Sequence, residues 1–131
     1  MAAMAILNLP KIKRLLAKGD LVGDGLYSWS EYKVLKDMFG DRLCTIAVYA
    51  PPGVRYERLE KRAKTVKSDP TFRYRSFSRE EAKERDAAEI ENLEKGGPIV
   101  MADYVILNTS SINKLKQNAN KIIKEIKVSK D

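Results

Sequence analysis

The chain has 131 residues, 44% of them hydrophobic, with 25 Lys or Arg against 18 Asp or Glu and a formal net charge of +7. Such a length and composition suit one globular domain with a buried core and exclude a disordered tail. A single cysteine excludes an internal disulfide, and with no histidine either, structural zinc and histidine acid–base chemistry are excluded as well.

Residues 1–7 are apolar, but Pro10 and the basic Lys11, Lys13 and Arg14 follow them, the reverse order to a secretory signal, so a soluble, cytoplasmic protein is expected. Asn8, Leu9 and Pro10 read as an N-cap and first turn, and Leu9, Ile12, Leu15 and Leu16 recur at helical spacing until Gly19. The apolar run 21–25 has the form of a short buried parallel strand with Asp24 at its tip. Ser28 and Glu31 fit a capping box that opens a helix to about residue 39, with Tyr32, Leu35, Met38 and Phe39 as its buried stripe.

Gly40-Asp41 turns the chain into a second strand, 43–49, which Pro51 and Pro52 end. Cys44, inside that apolar run, is expected to be a small buried hydrophobe. A helix over about 53–63 follows, then a loop from Ser68-Asp69-Pro70 to Phe77 with little periodicity. Ser78 and Glu81 form a second capping box. The helix it opens places Arg79, Ala82, Asp86, Ile90 and Leu93 on one stripe, whose polar first half should face a site. Gly96-Gly97-Pro98 should end that helix, 104–107 reads as a third strand, and a last helix over about 112–127 carries a core stripe from Ile112 to Ile126.

Strands alternating with helices predict an α/β fold, three-layered, with a short parallel sheet of strands 21–25, 43–49 and 104–107 and flanking helices. Ligands of such open sheets bind at the carboxyl ends of the strands, where Asp24, the loop after Tyr49 and Asn108 all fall. The positive charge is local. Seven of the nine arginines lie between Arg55 and Arg85, and residues 53–78 carry eight basic side chains against three acidic ones. This pattern also suits a plain solvated face, but the planar guanidinium fork matches phosphate in bidentate fashion and keeps its charge. The stretch reads as a phosphate-handling lid.

The order Asp24-Gly25-Leu26-Tyr27-Ser28, Arg55 to Arg62 after a strand, Arg85-Asp86, and Ala102-Asp103-Tyr104-Val105-Ile106-Leu107-Asn108 resembles the P-loop small-molecule kinases. The resemblance covers about residues 5–127. It is to dephospho-coenzyme A kinase-like and nucleotide kinase-like proteins, related to adenylate kinase. It implies ATP-dependent phosphoryl transfer, with Mg2+ and ATP as cofactors and dephospho-coenzyme A or a nucleoside monophosphate as acceptor. It also implies catalytic roles for Asp24, Arg79 and Arg85, with Asp24 near the metal. By the same resemblance Arg62 and Asn108 contact the nucleotide, Tyr27 and Arg55 the acceptor, and residues of about 62–86 form the lid over a single kinase-like domain, 1–131. Such transfer rests on positioning and charge stabilisation, which a carboxylate on the metal and arginines over the phosphates supply.

Two positions depart from the family pattern. Tyr27 stands where relatives often carry an arginine for the acceptor phosphate. No Gly-x-x-x-x-Gly-Lys-Ser/Thr occurs, so the amides that cradle phosphates are missing from these residues. The chain thus resembles the carboxyl-terminal part of a kinase, inactive alone. In the strand order the resemblance implies, the absent first strand runs between 21–25 and 43–49, so these two should either pair directly or expose edges through which the chain self-associates. Two other functions fit the residues. Tyr56, Phe72, Tyr74 and Phe77 interleave with Arg55, Arg58, Arg73 and Arg75 as in nucleic-acid-binding modules, and a non-catalytic interaction domain derived from the kinase fold would also lack the loop.

Overall fold

The computed structural model describes residues 2–65 and 77–129. The expected loop from residue 68, with Phe72, Arg73, Tyr74 and Arg75, lies outside the described residues. Among those described, the chain is α/β, with six α-helices and one two-stranded parallel sheet. It forms two compact units, one of Met1–Thr45 with Ala88–Asp103 and one of Ile46–Ala87 with Tyr104–Asp131. No helix among the described residues is long and apolar enough to cross a membrane.

In the first unit, α1 spans Ala3–Leu16 and so begins before the expected N-cap. Pro10 lies inside it, and Asn8 donates from its side-chain amide to the Met4 carbonyl at 2.8 Å, a bond back along the helix and not a cap. The helical spacing of the apolar residues outweighs Pro10, which lacks an N–H for the ladder. α2, Trp29–Phe39, opens as expected: Glu31 N–H donates to Ser28 Oγ at 3.1 Å and Ser28 N–H to the Glu31 carboxylate at 3.3 Å. Of its stripe Tyr32 is buried and Met38 is exposed. A 3-10 turn, Gly40–Arg42, follows.

The expected strand 21–25 is absent. Residues 20–28 form neither helix nor strand, Val22 is 92% exposed, and Gly25 has φ +93°. An apolar run becomes a strand only where its amides and carbonyls meet a ladder, and the ladder among the described residues joins two other segments.

α2 packs against α5, Gly96–Val100, a single helical turn that contains the Gly-Gly-Pro sequence expected to stop the preceding helix. The stop comes earlier. Glu94, just past α4, Arg79–Leu93, takes the left-handed conformation at φ +53°, a place glycine usually fills. It is held there from both ends: the Glu94 carbonyl accepts from Trp29 N–H and Gly97 N–H, and the Glu94 carboxylate accepts from Ser30 Oγ at 2.9 Å. Gly97 lies so close to Trp29 that a Cβ there would stand 2.9 Å from the indole, while Trp29 stacks on Tyr32 with ring centroids 5.2 Å apart.

The second unit holds the sheet. β1 is Ile46–Tyr49 and β2 is Tyr104–Leu107, paired in parallel with Ile46 opposite Tyr104 and Tyr49 opposite Leu107. β1 starts three residues later than expected, so Cys44 falls on the lead-in and is exposed, not buried. α3, Pro52–Thr65, leaves the end of β1, and α6, Ile112–Val128, follows β2 and packs on it. Ser111 caps α6 by accepting from Lys114 N–H. Its stripe is covered on one flank only: Ile122 is buried, whereas Ile112 is 70% exposed. Along α4 the expected stripe is likewise packed in its first half, where Ala82 is buried, and bare in its second, where Ile90 is exposed.

Candidate functional site

The carboxyl ends of β1 and β2 form a rim where several polar contacts of the second unit gather. Asn108 continues the ladder one residue past β2, donating its N–H to the Tyr49 carbonyl at 2.7 Å. α3 starts at Pro52, directly after β1, so Arg55 and Arg58, three apart, share the helical face over that rim. Arg55 donates from Nη1 to the Ala50 carbonyl at 3.2 Å, and Arg58 from Nη1 to the Asn108 carbonyl at 2.6 Å. Two adjacent strand ends therefore each hold a guanidinium.

Arg55 has a second partner. Its Nη2 donates to Asp86 Oδ2 on α4, and Tyr56 donates its phenolic O–H to the same oxygen at 2.9 Å. The Arg55 and Asp86 side chains are 37% and 30% exposed, so water reaches the pair. Partial burial raises the Tyr56 phenol above its ordinary range, and its bond to the Asp86 carboxylate and that negative charge raise it further. The bond from Lys61 holds the Glu57 carboxyl below its usual range, with the charges of Lys61, Arg79 and Arg58 adding to the effect. Next to Asn108, an open groove of about 480 Å³ is lined by Leu107, Thr109, Ser110, Ser111, Lys114 and Gln117 among others. Hydroxyls, an amide and an ammonium on one wall suit a polar, anionic ligand.

Of the residues expected at a site, Arg55, Arg62, Arg79, Arg85 and Asn108 belong to the second unit. Arg55 and Asn108 both lie at the rim, Arg55 donating to the Ala50 carbonyl and Asn108 accepting from Arg58. Arg79 is exposed at the start of α4, behind the capping box that Ser78 and Glu81 complete at 2.7 and 3.2 Å. Arg85 lies over the Phe77 ring, 5.1 Å from its centroid, and Arg62 is exposed on α3. Asp24 and Tyr27 belong to the first unit, both exposed on the segment that is not a strand, so Asp24 does not stand at a strand tip. The Lys95 ammonium lies 5.3 Å from the Tyr27 ring centroid, and Lys95 also pairs with Glu89.

The resemblance implies a magnesium near Asp24. No group of three carboxylate or thiol side chains converges among the described residues. Magnesium that arrives on nucleotide phosphates needs only one or two protein carboxylates, and Asp24 is one exposed carboxylate.

Sequence reasoning missed Arg58 as a rim residue and Asp86 and Tyr56 as the partners of Arg55. The signal for Arg58 was its i,i+3 spacing from Arg55, and for Asp86 its place in the polar half of the α4 stripe. Tyr56 and Phe77, read as stacking platforms for bases, are engaged inside the unit with Asp86 and Arg85.

Fold and site together define an α/β protein whose parallel strands end at an arginine-lined rim. No family model matches the chain. In sequence it is similar to archaeal UPF0200 proteins. One from Pyrococcus abyssi is 36% identical over 126 residues, which are 95% of this chain and 63% of the relative. One from Sulfurisphaera tokodaii is 34% identical, with 95% and 62% covered. A UPF0200/UPF0201 protein from Archaeoglobus fulgidus is 35% identical over 98% of this chain and 38% of its own length. The chain thus spans less than two thirds of the length of these relatives.

Proposed function

We propose that the chain provides the lid and rim of a small-molecule kinase, which transfers a phosphoryl group from ATP, with Mg2+, to a phosphate-bearing acceptor such as dephospho-coenzyme A or a nucleoside monophosphate. The observation that carries this reading is the pair of guanidinium groups, Arg55 and Arg58, at adjacent carboxyl ends of two parallel strands. In open parallel sheets that edge is where ligands bind, and bidentate guanidinium donors are suited to phosphate. The groove from Leu107 to Gln117, beside Asn108, offers room for the nucleotide. Asp24 would hold the metal that ATP brings, and Arg62, Arg79 and Arg85 would supply charge over the transferring phosphate. Neutralisation of phosphate charge is the chemistry that magnesium would supply there.

The test is an ATP-dependent phosphorylation assay against a panel of such acceptors, run on this chain and on the longer Pyrococcus abyssi relative. Transfer to one acceptor by the relative is expected; no transfer to any contradicts the reading. These 131 residues, with no phosphate-cradling loop, should not turn over ATP alone. Turnover that tracks protein and disappears in Asp24→Ala would overturn that expectation. In a turnover-competent form, Arg62→Ala, Arg79→Ala and Arg85→Ala should lower kcat more than they raise KM for ATP, because their charges act at the transition state. Unchanged turnover in all three would return the basic stretch to a solvated face.

The reading also includes self-association through the sheet. Val48, Val105 and Leu107 are 58%, 55% and 59% exposed, and β1 carries no charged residue to discourage strand addition. Sedimentation should give a mass above one chain, and a strictly monomeric mass would remove this partner.

A further inference from the structure

Asp86 is an acceptor-only group placed on a donor that the proposed site needs. Its Oδ2 takes the Nη2 hydrogen of Arg55 and the Tyr56 hydroxyl hydrogen together, while the other nitrogen, Nη1, of the same guanidinium is fixed to the Ala50 carbonyl. The carbonyl bond orients the fork, so Nη2 stays at the rim whether or not Asp86 occupies it. Arg58, one helical turn on, is oriented in the same way by the Asn108 carbonyl. A phosphate oxygen arriving at the rim would meet a preset donor whose occupant is a carboxylate that water already reaches.

We propose that Asp86 is a resident counter-ion which a phosphate group of the ligand displaces, so that the Arg55–Asp86 pair is a latch opened by the anion. The exchange is balanced in charge and hydrogen bonds. The guanidinium gives up one carboxylate oxygen for one phosphate oxygen, and Asp86 keeps the Tyr56 donor and gains water. A half-exposed ion pair is weak enough to be exchanged, whereas phosphate can engage two guanidinium groups at once. Because Asp86 lies on α4 and keeps its Tyr56 bond, release of Arg55 would loosen one of its two links to α3 and so couple anion arrival to the helix that carries Arg79 and Arg85. This inference deepens the kinase reading and rests on it for the ligand's identity, although the latch itself needs only an anion.

The experiment measures binding of inorganic pyrophosphate to the 131-residue chain by calorimetry, which requires no turnover and can fail independently of the phosphorylation assay. Asp86→Asn removes the competing charge and should tighten binding about five-fold, while Asp86→Glu, which keeps it, should stay near wild type. Arg55→Ala should weaken binding about ten-fold or more. If Asp86 were only a structural partner, Asp86→Asn would weaken binding or leave it unchanged, and either result overturns the proposal. Should Asp86→Asn not fold, the wild type decides. The Asp86 carboxyl carbon resonance should move on addition of pyrophosphate, and a resonance that stays still while pyrophosphate binds overturns the latch.

Discussion

The two units are held by different chemistry. The first is fastened by close apolar approach, Gly97 against the Trp29 ring and Trp29 stacked on Tyr32, with helix ends held by the hydrogen bonds of Ser28 and Glu94. At its rim the second relies on charged hydrogen bonds, Arg58 to Asn108 and Arg55 to Ala50 and Asp86, around a sheet of only two strands. Close packing tolerates no substitute, because the contact is a shape. A charged donor can exchange one anion for another, which is why the proposed ligand site falls in the second unit.

The contrast can be broken most severely at Gly97. Gly97→Ala places a methyl group 2.9 Å from Trp29 Cβ and the ring, and overpacking of this kind should lower stability by about 1–3 kcal/mol. A urea midpoint equal to wild type would show that the approach is slack. Next in size is Ser28→Ala, which removes the Oγ acceptor of the α2 capping box and should cost about 1 kcal/mol in the same measurement. An unchanged midpoint would mean that α2 starts elsewhere in solution.

The smallest effect sharpens the comparison through pH. Burial pushes the Asp103 carboxyl up, but the Thr45 N–H at 2.7 Å, the Thr45 hydroxyl at 2.9 Å and the Lys36 charge together outweigh it, and the carboxyl ends below its ordinary value of 3.8. A carboxyl lowered on folding stabilises fully above its ordinary value, and the contribution is lost as pH falls through the lowered one. Thr45→Val should therefore lower stability near neutrality, where the contribution is fully present, and converge with wild type as pH falls, which flattens the acid limb of the stability curve. An acid limb identical to wild type would remove the Thr45–Asp103 contact from the account.

What was legible in the sequence was whatever depends on neighbours along the chain. Both capping boxes, at Ser28 and Ser78, need only a hydroxyl and a carboxylate three residues apart, and both are present. The strands at 46–49 and 104–107 and the helices around them follow from period and punctuation. The run 21–25 has the same apolar form, yet whether it becomes a strand depends on a ladder partner, and no local pattern specifies one. Cys44 was misjudged for the same reason: its burial depends on where β1 begins pairing, at Ile46. At the site, Asn108 was legible as a rim residue and Arg55 entered only as an acceptor contact that the resemblance implies, while the pairing of Arg55 with Asp86 joins residues 31 apart through α3 and α4, which only the folded unit shows.

The central claim is that phosphate binds at the carboxyl rim of β1 and β2. Titrating the isotope-labelled chain with ATP and Mg2+ while following backbone amide resonances tests it most directly. The account predicts shifts at Ala50, at Asn108 and along Thr109 to Ser111, all lost in the Arg55→Ala, Arg58→Ala double variant. Shifts confined to other helices, with the rim silent, would contradict it.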